Sequence, residues 1–164
     1  MQLMEQDKYI LTMLVENEPG VTARIAGLFA GRGYNIETIC GAPTANPKMS
    51  RITITTKAKP HQLEQCMKQI KRLVNVLKLR DMTGEKALKR EMALICVKIK
   101  PETLEDITKI IADYHGRIMD TSDQFIIFEA TGDENAIDEL LILLDPFGIK
   151  KLARSGILAL YKES

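Results

Sequence analysis

Residues 15–39 read VENEPGVTARIAGLFAGRGYNIETI, and the order of residue types in this stretch decides the fold of the first half of the chain. A strand end meets a Pro-Gly turn, a helix follows with Val21, Ile25, Leu28 and Phe29 on one face, and a Gly-rich exit leads into a second strand. The order is β-α-β. Gly20 opens the helix, whose first backbone N–H groups lack intrahelical partners and present partial positive charge to a small anion. Asn17 and Asn35 bracket the helix with amides that both donate and accept. A free α-amino acid, with carboxylate and ammonium close together, suits such a pocket better than a phosphate, which usually draws Lys or Arg. The nearest cations, Arg24 and Arg32, fall on the solvated face of the helix.

Outward from this stretch, residues 8–16 read as a strand, 20–32 as the helix and 35–42 as the next strand. In 49–56, Ile52 and Ile54 alternate with Thr53 and Thr55, which predicts one core face and one polar face. PTANP (43–47) is the hairpin loop between them. Pro60 starts a helix carrying Leu63, Met67, Ile70 and Leu73 or Val74, and 75–80 form a last strand. The sum is βαββαβ, a ferredoxin-like arrangement. The polar segment DMTGEKALKR (81–90) interrupts the periodicity and reads as a linker.

The second half repeats the rhythm: a strand at 91–100, a helix at 102–115 ended by Gly116, strands at 117–121 and 125–131, a helix at 134–144, and short strands at 147–153 and 157–161. The fold class expected is α+β, two ferredoxin-like domains at 1–80 and 91–164 joined by 81–90. The halves share no obvious residue identity, so the repeat is one of architecture. Gly27, inside the first helix, costs about 1 kcal/mol relative to Ala and suggests close approach of another backbone.

Composition and motifs narrow the function classes. The chain has 164 residues and a formal net charge of +1, which supplies no general field for nucleic acid or an anionic membrane. No 18-residue apolar run exists and MQLMEQDKYI lacks signal-peptide character, so the expected compartment is the cytoplasm. Cys40, Cys66 and Cys96 fit neither a disulfide framework nor a zinc site and read as small apolar residues. His61 and His115 sit at helix edges, away from acidic or thiol groups at metal-ligand spacing. Glu102, Glu105 and Asp106, and Asp133, Glu134, Asp138 and Glu139, read as first-turn acids that favour the helix macrodipole. Phosphate loops, dinucleotide fingerprints and nucleophile elbows are all missing, so no covalent chemistry by this chain alone is expected.

Several blocks in order resemble one family across nearly the whole chain: the 15–39 stretch with RGYNIETI (32–39), GAPTANPKMSRITI (41–54), LVNVLKL (73–79), REMALICVKIK (90–100), GRIMD (116–120) and ARSGILAL (153–160). They resemble the small regulatory subunits of acetolactate synthase, also called acetohydroxyacid synthase, whose N-terminal part is an ACT domain. The resemblance implies a non-catalytic subunit that activates a separate large catalytic subunit and confers feedback inhibition by branched-chain amino acids. Thiamine diphosphate, Mg²⁺ and FAD would then belong to that partner and not to this chain. It implies a homodimer through ACT domains, with the effector held between protomers by Asn17, Gly20 and Val21 of one chain and Asn35 and Ile36 of its neighbour. None of these positions is charged, so the expected effector is aliphatic, valine first. Pro19 and Ala23 depart from the serines also seen there, which bears on ligand preference. The other reading is a free-standing ACT-type amino-acid sensor acting on another enzyme or regulator.

Overall fold

The computed structural model describes residues 7–84 and 86–162. Two compact units emerge: the chain through Leu88 together with Ile157 onward, and Lys89–Gly156.

In the first unit the order is β1 (Asp7–Glu16), α1 (Val21–Ala30), β2 (Ile36–Pro43), β3 (Met49–Ala58), α2 (Pro60–Ile70) and β4 (Val76–Asp81). The sheet order is β2-β3-β1-β4 with every neighbour antiparallel, the ferredoxin-like topology. Period-2 alternation sends Leu11, Met13 and Val15 of β1 to the face that buries Ile52 and Ile54 of β3. Val21, Ile25 and Phe29 of α1, spaced four apart, close over that face with Leu63, Cys66 and Ile70 of α2. Pro60 sits in the first turn of α2, and Gln62 Oε1 accepts the Lys59 N–H at 2.9 Å. The helix stops at Ile70, so Leu73 only packs against the core from outside the helix and Val74 is 91% exposed.

The opposite face of this sheet is less open than the Ile/Thr alternation predicts. Thr12, Thr53 and Thr55 are all buried, and the Thr12 and Thr53 hydroxyls lie 3.1 Å apart in a hydrogen bond. On the same unit Ile10, Met82, Ala87, Ile157 and Ala159 form a small second apolar cluster. The segment 81–90 is therefore largely structured. Met82 donates its N–H to Ile10 O at 2.7 Å, Thr83 Oγ1 accepts the Ile10 N–H at 3.1 Å, and β5 already begins at Ala87. Its polar composition hides two apolar anchors, Met82 and Ala87, too few to register as a periodic pattern.

The second unit continues β5 (Ala87–Lys98), then α3 (Leu104–Asp113), β6 (Arg117–Thr121), β7 (Phe125–Gly132), α4 (Glu134–Leu144), a 3-10 turn (Asp145–Phe147) and β8 (Ile149–Arg154). Its order, β6-β7-β5-β8, repeats that of the first unit. The final strand β9 (Leu158–Tyr161) pairs with β5, whose first two residues belong to the first unit. Ala93, Ile95 and Val97 of β5 pack with Ile107 and Ile111 of α3 and Ile137, Leu140 and Leu144 of α4.

Three local readings change in the structure. Gly27 lies on the solvent side of α1, where an added Cβ would meet nothing within 4 Å, so among the described residues no backbone outside the helix itself approaches it. Asp138 is not a first-turn acid: it lies in the second turn of α4 and pairs with Arg154 Nη1 at 2.8 Å, whereas Asp133 caps the helix by accepting the Ala136 N–H at 2.9 Å. Gly116 does not supply the left-handed residue after α3; His115 does, with φ 53°, and the Gly116 N–H closes on Ile111 O at 2.7 Å. Glycine is required at 116 because a Cβ would lie 2.9 Å from Ile111 Cγ2 and 3.1 Å from both Ile111 O and Phe128 Cδ2. Gly116→Ala is therefore expected to cost about 1–3 kcal/mol through overpacking, read as a lower urea midpoint with unchanged slope.

Arg154 also locks the second unit internally. Its Nε and Nη2 grip Glu91 Oε1 and Oε2 at 2.9 and 2.6 Å, while Glu91 is only 2% exposed. The pair ties the start of the REMALICV block to the start of the ARSGILAL block.

Candidate functional site

The loop Asn17–Gly20 carries the chain from β1 into α1. Gly20 is the residue before the helix and has φ 83°, a left-handed backbone that accounts for glycine there. No side chain caps this end; the Val21 N–H makes a long 3.4 Å bond to Glu18 O, and the Thr22 and Ala23 N–H groups of the first turn, which have no intrahelical partner, are left to meet an anion. Asn17 is fixed to the β2–β3 hairpin: its N–H donates to Lys48 O at 2.8 Å and its Nδ2 donates to Pro47 O at 2.9 Å. The hairpin tip is thereby held beside the helix N-terminus.

Between them lies a cavity of about 370 Å³ whose lining includes Asn17, Val21, Ile39, Pro43, Ser50 and Ile52. One wall is aliphatic, from α1 and the hairpin end of β2 and β3. Glu16 and Glu18 also border the cavity, and both carboxylates are held by Asn75, whose Nδ2 donates to Glu16 Oε2 at 2.6 Å and Glu18 Oε2 at 3.2 Å. The cavity is thus bordered by the first turn of α1, by aliphatic side chains and by two glutamates. That combination matches the three parts of an aliphatic amino acid: carboxylate, side chain and ammonium.

Of the residues singled out from sequence, Asn17, Gly20 and Val21 come together at this end of α1. Asn35 and Ile36 do not join them within the chain. They follow the opposite end of the helix, where the Asn35 carbonyl accepts the Thr56 hydroxyl at 2.6 Å and the Asn35 side chain is exposed. Ten helical residues separate the two groups, roughly 15 Å at 1.5 Å per residue. Arg24 and Arg32 are exposed as expected, with Arg24 Nε turned back to Gly20 O at 3.4 Å. The sequence reading missed Ile39 and Ile52, which look like ordinary strand core, and Glu16 and Glu18, whose alternation around Asn17 is the signal that marks them.

Elsewhere, Cys66 and Cys96 are buried and Cys40 is half-buried, all with free thiols. Burial pushes the Cys66 thiol up, against a smaller opposing pull from Arg32, so it is a poor nucleophile. Among the described residues no group of three His, Cys, Asp or Glu side chains is placed to hold a metal, and no helix is long and apolar enough to cross a membrane.

Two family models match in tandem, one described as an AHAS small subunit-like ACT domain over residues 11–78 and one as the small subunit of acetolactate synthase over residues 90–163. A probable acetolactate synthase small subunit of Methanothermobacter thermautotrophicus is 40% identical over 98% of this chain and 96% of its own length. The acetolactate synthase small subunit of Aquifex aeolicus is 41% identical over 95% of this chain and 82% of its own. The crystal structure of the acetolactate synthase small subunit from Thermotoga maritima superposes with a TM-score of 0.87 at 34% identity, covering 96% of this chain and 99% of that one. On the tandem architecture and on similarity running almost from end to end, the chain belongs to the acetolactate synthase small-subunit family, with an ACT domain as its first half.

Proposed function

We propose that this chain is the regulatory subunit of an acetolactate synthase, activating a separate catalytic subunit and making it sensitive to feedback by a branched-chain amino acid, valine first. The observation that carries the effector reading is the cavity at the N-terminus of α1, which no side chain caps, lined by aliphatic Val21, Ile39 and Ile52 together with Glu16 and Glu18. Valine would place its carboxylate toward the α1 N–H groups, its isopropyl group on the apolar wall and its ammonium toward the glutamates. The chemistry of thiamine diphosphate, Mg²⁺ and FAD stays on the catalytic partner.

Asn35 and Ile36 support a site shared by two copies. Within one chain they lie a helix length from Gly20, so both groups touch one ligand only if a second protomer supplies Asn35. An effector bound across such an interface acts through its differential affinity for two arrangements of the dimer, which is how it reaches the catalytic subunit without entering its active site.

The test is reconstitution. Mixed with the large subunit, the chain is expected to co-elute with it, raise its acetolactate-forming rate, and lower that rate again when valine is added. Calorimetric titration of the chain with valine, leucine and isoleucine then ranks the effectors. Activation without any amino-acid inhibition sinks the effector reading alone, whereas failure to co-elute or to activate sinks the assignment as a subunit.

A further inference from the structure

A second concavity lies on the other face of the first sheet, the face that α1 and α2 do not cover. Alternation along the strands fixes this. Leu11, Met13 and Val15 point to the helices, so Thr12 and Leu14 point away, and with them their cross-strand partners. The register sets Lys78, Leu14 and Arg51 in one row across β4, β1 and β3, and Arg80, Thr12 and Thr53 in the next. Arg51, Lys78 and Arg80 therefore share one face.

They also share one hollow, of about 290 Å³, closed on one side by Leu160 and Tyr161 of β9. Among the described residues no Asp or Glu lines it. Arg80 lies with its guanidinium carbon 4.9 Å from the centre of the Tyr161 ring, which holds it in place without neutralising it. Arg51 is half-buried, and neither Arg51 nor Lys78 makes an ion pair among the described residues. Lys78 and Arg80 stand two residues apart on one strand, and Arg51 two strand spacings away, roughly 10 Å between Cα atoms. All three side chains line the hollow together with Leu14 and Thr12. Three cations gathered with no anion among the described lining residues repel one another, and in a chain of net charge +1 this local excess is not a by-product of general basicity.

We propose that this hollow binds a small, multiply charged oxyanion. Two guanidinium forks suit planar or tetrahedral oxygen pairs, Lys78 adds a movable point charge, and the Thr12 side chain reaches the lining. Both phosphoryl-bearing and polycarboxylate metabolites meet this requirement. The site is separate from the effector cavity: its strand residues point to the opposite side of the sheet from Val15 and Ile52, so it does not depend on the valine reading.

The experiment is calorimetric titration of the full-length chain at low ionic strength with two probes, inorganic pyrophosphate for phosphoryl ligands and citrate for carboxylate ligands. At least one is expected to bind with a dissociation constant below about 1 mM, weakening steeply with added salt, and the tighter of the two names the source. Arg51→Gln is expected to weaken that binding about tenfold or more, and so is Lys78→Gln, an exposed position whose loss leaves the fold intact by circular dichroism. Titrations with valine in the same variants should be unchanged. The proposal is overturned if neither probe binds below about 10 mM, or if both variants bind as tightly as the parent.

Discussion

Arg154→Met is expected to destabilise the second unit by about 3 kcal/mol, with a ceiling near 5 kcal/mol. The loss comes less from the missing attraction than from what remains. Glu91 is 2% exposed, and without the guanidinium its carboxylate keeps no cation in a place water does not reach. Arg154 itself is partly exposed and also meets the more exposed Asp138, which is why the lower figure is the better expectation. Its proton is held more firmly than usual, chiefly by the hydrogen bonds to Glu91 and then by Asp138, so the pair does not open through loss of the arginine's charge. The check is a double-mutant cycle by urea denaturation. Arg154→Met alone should shift the midpoint strongly, while Glu91→Leu with Arg154→Met should recover most of the loss, because two apolar groups leave nothing unsatisfied. A single variant as stable as the parent would show that the pair contributes nothing.

That ion pair also marks the limit of what could be read from the chain. Both βαββαβ units were legible, because each helix carries its apolar residues at helical spacing and each strand alternates or runs apolar. The pairing of Glu91 with Arg154 was not, since nothing local distinguishes it: Glu91 heads an apolar strand and Arg154 ends a mixed one, 63 residues apart. The burial of Thr53 and Thr55 was missed for a related reason. A threonine alternating with isoleucine reads as a solvent face, and only its hydroxyl partner on the neighbouring strand, or cover from elsewhere in the fold, shows otherwise. Likewise the segment 81–90 has linker composition, yet Met82 anchors it beside Ile10. At the start of α1, the Asn17–Gly20 turn was legible because turn chemistry is local, whereas Glu16, Glu18, Ile39 and Ile52 come to the cavity only through the register of β1, β2 and β3.

Gly20→Asp and Asn35→Ala are each expected to weaken valine binding about tenfold or more, and mixing the two chains is expected to restore part of it at the parent's affinity. Aspartate is among the few residues that tolerate the left-handed backbone at 20, and a Cβ there meets only Arg24 Nη2 at 3.9 Å, so the chain should still fold. The new carboxylate stands at the N-terminus of α1, offsets its partial positive charge and repels a carboxylate bound there, an effect expected at about tenfold or more. Asn35→Ala removes up to two donors and one acceptor from an exposed side chain with no role in the core, and costs about 1–3 kcal/mol if the amide is buried against the ligand. If the chain pairs as proposed, each homodimer then carries two damaged sites. When the two variants are unfolded, mixed in equal amounts and refolded, about half the dimers are mixed. If each site takes Gly20 from one protomer and Asn35 from the other, every mixed dimer holds one doubly damaged site and one intact site. About one quarter of all sites should regain valine affinity, at the parent's dissociation constant. A pocket contained in a single chain predicts no recovery at any mixing ratio, because every chain in the mixture carries a lesion. The helix length that separates Gly20 from Asn35 within one protomer is the physical reason to expect the quarter and not zero.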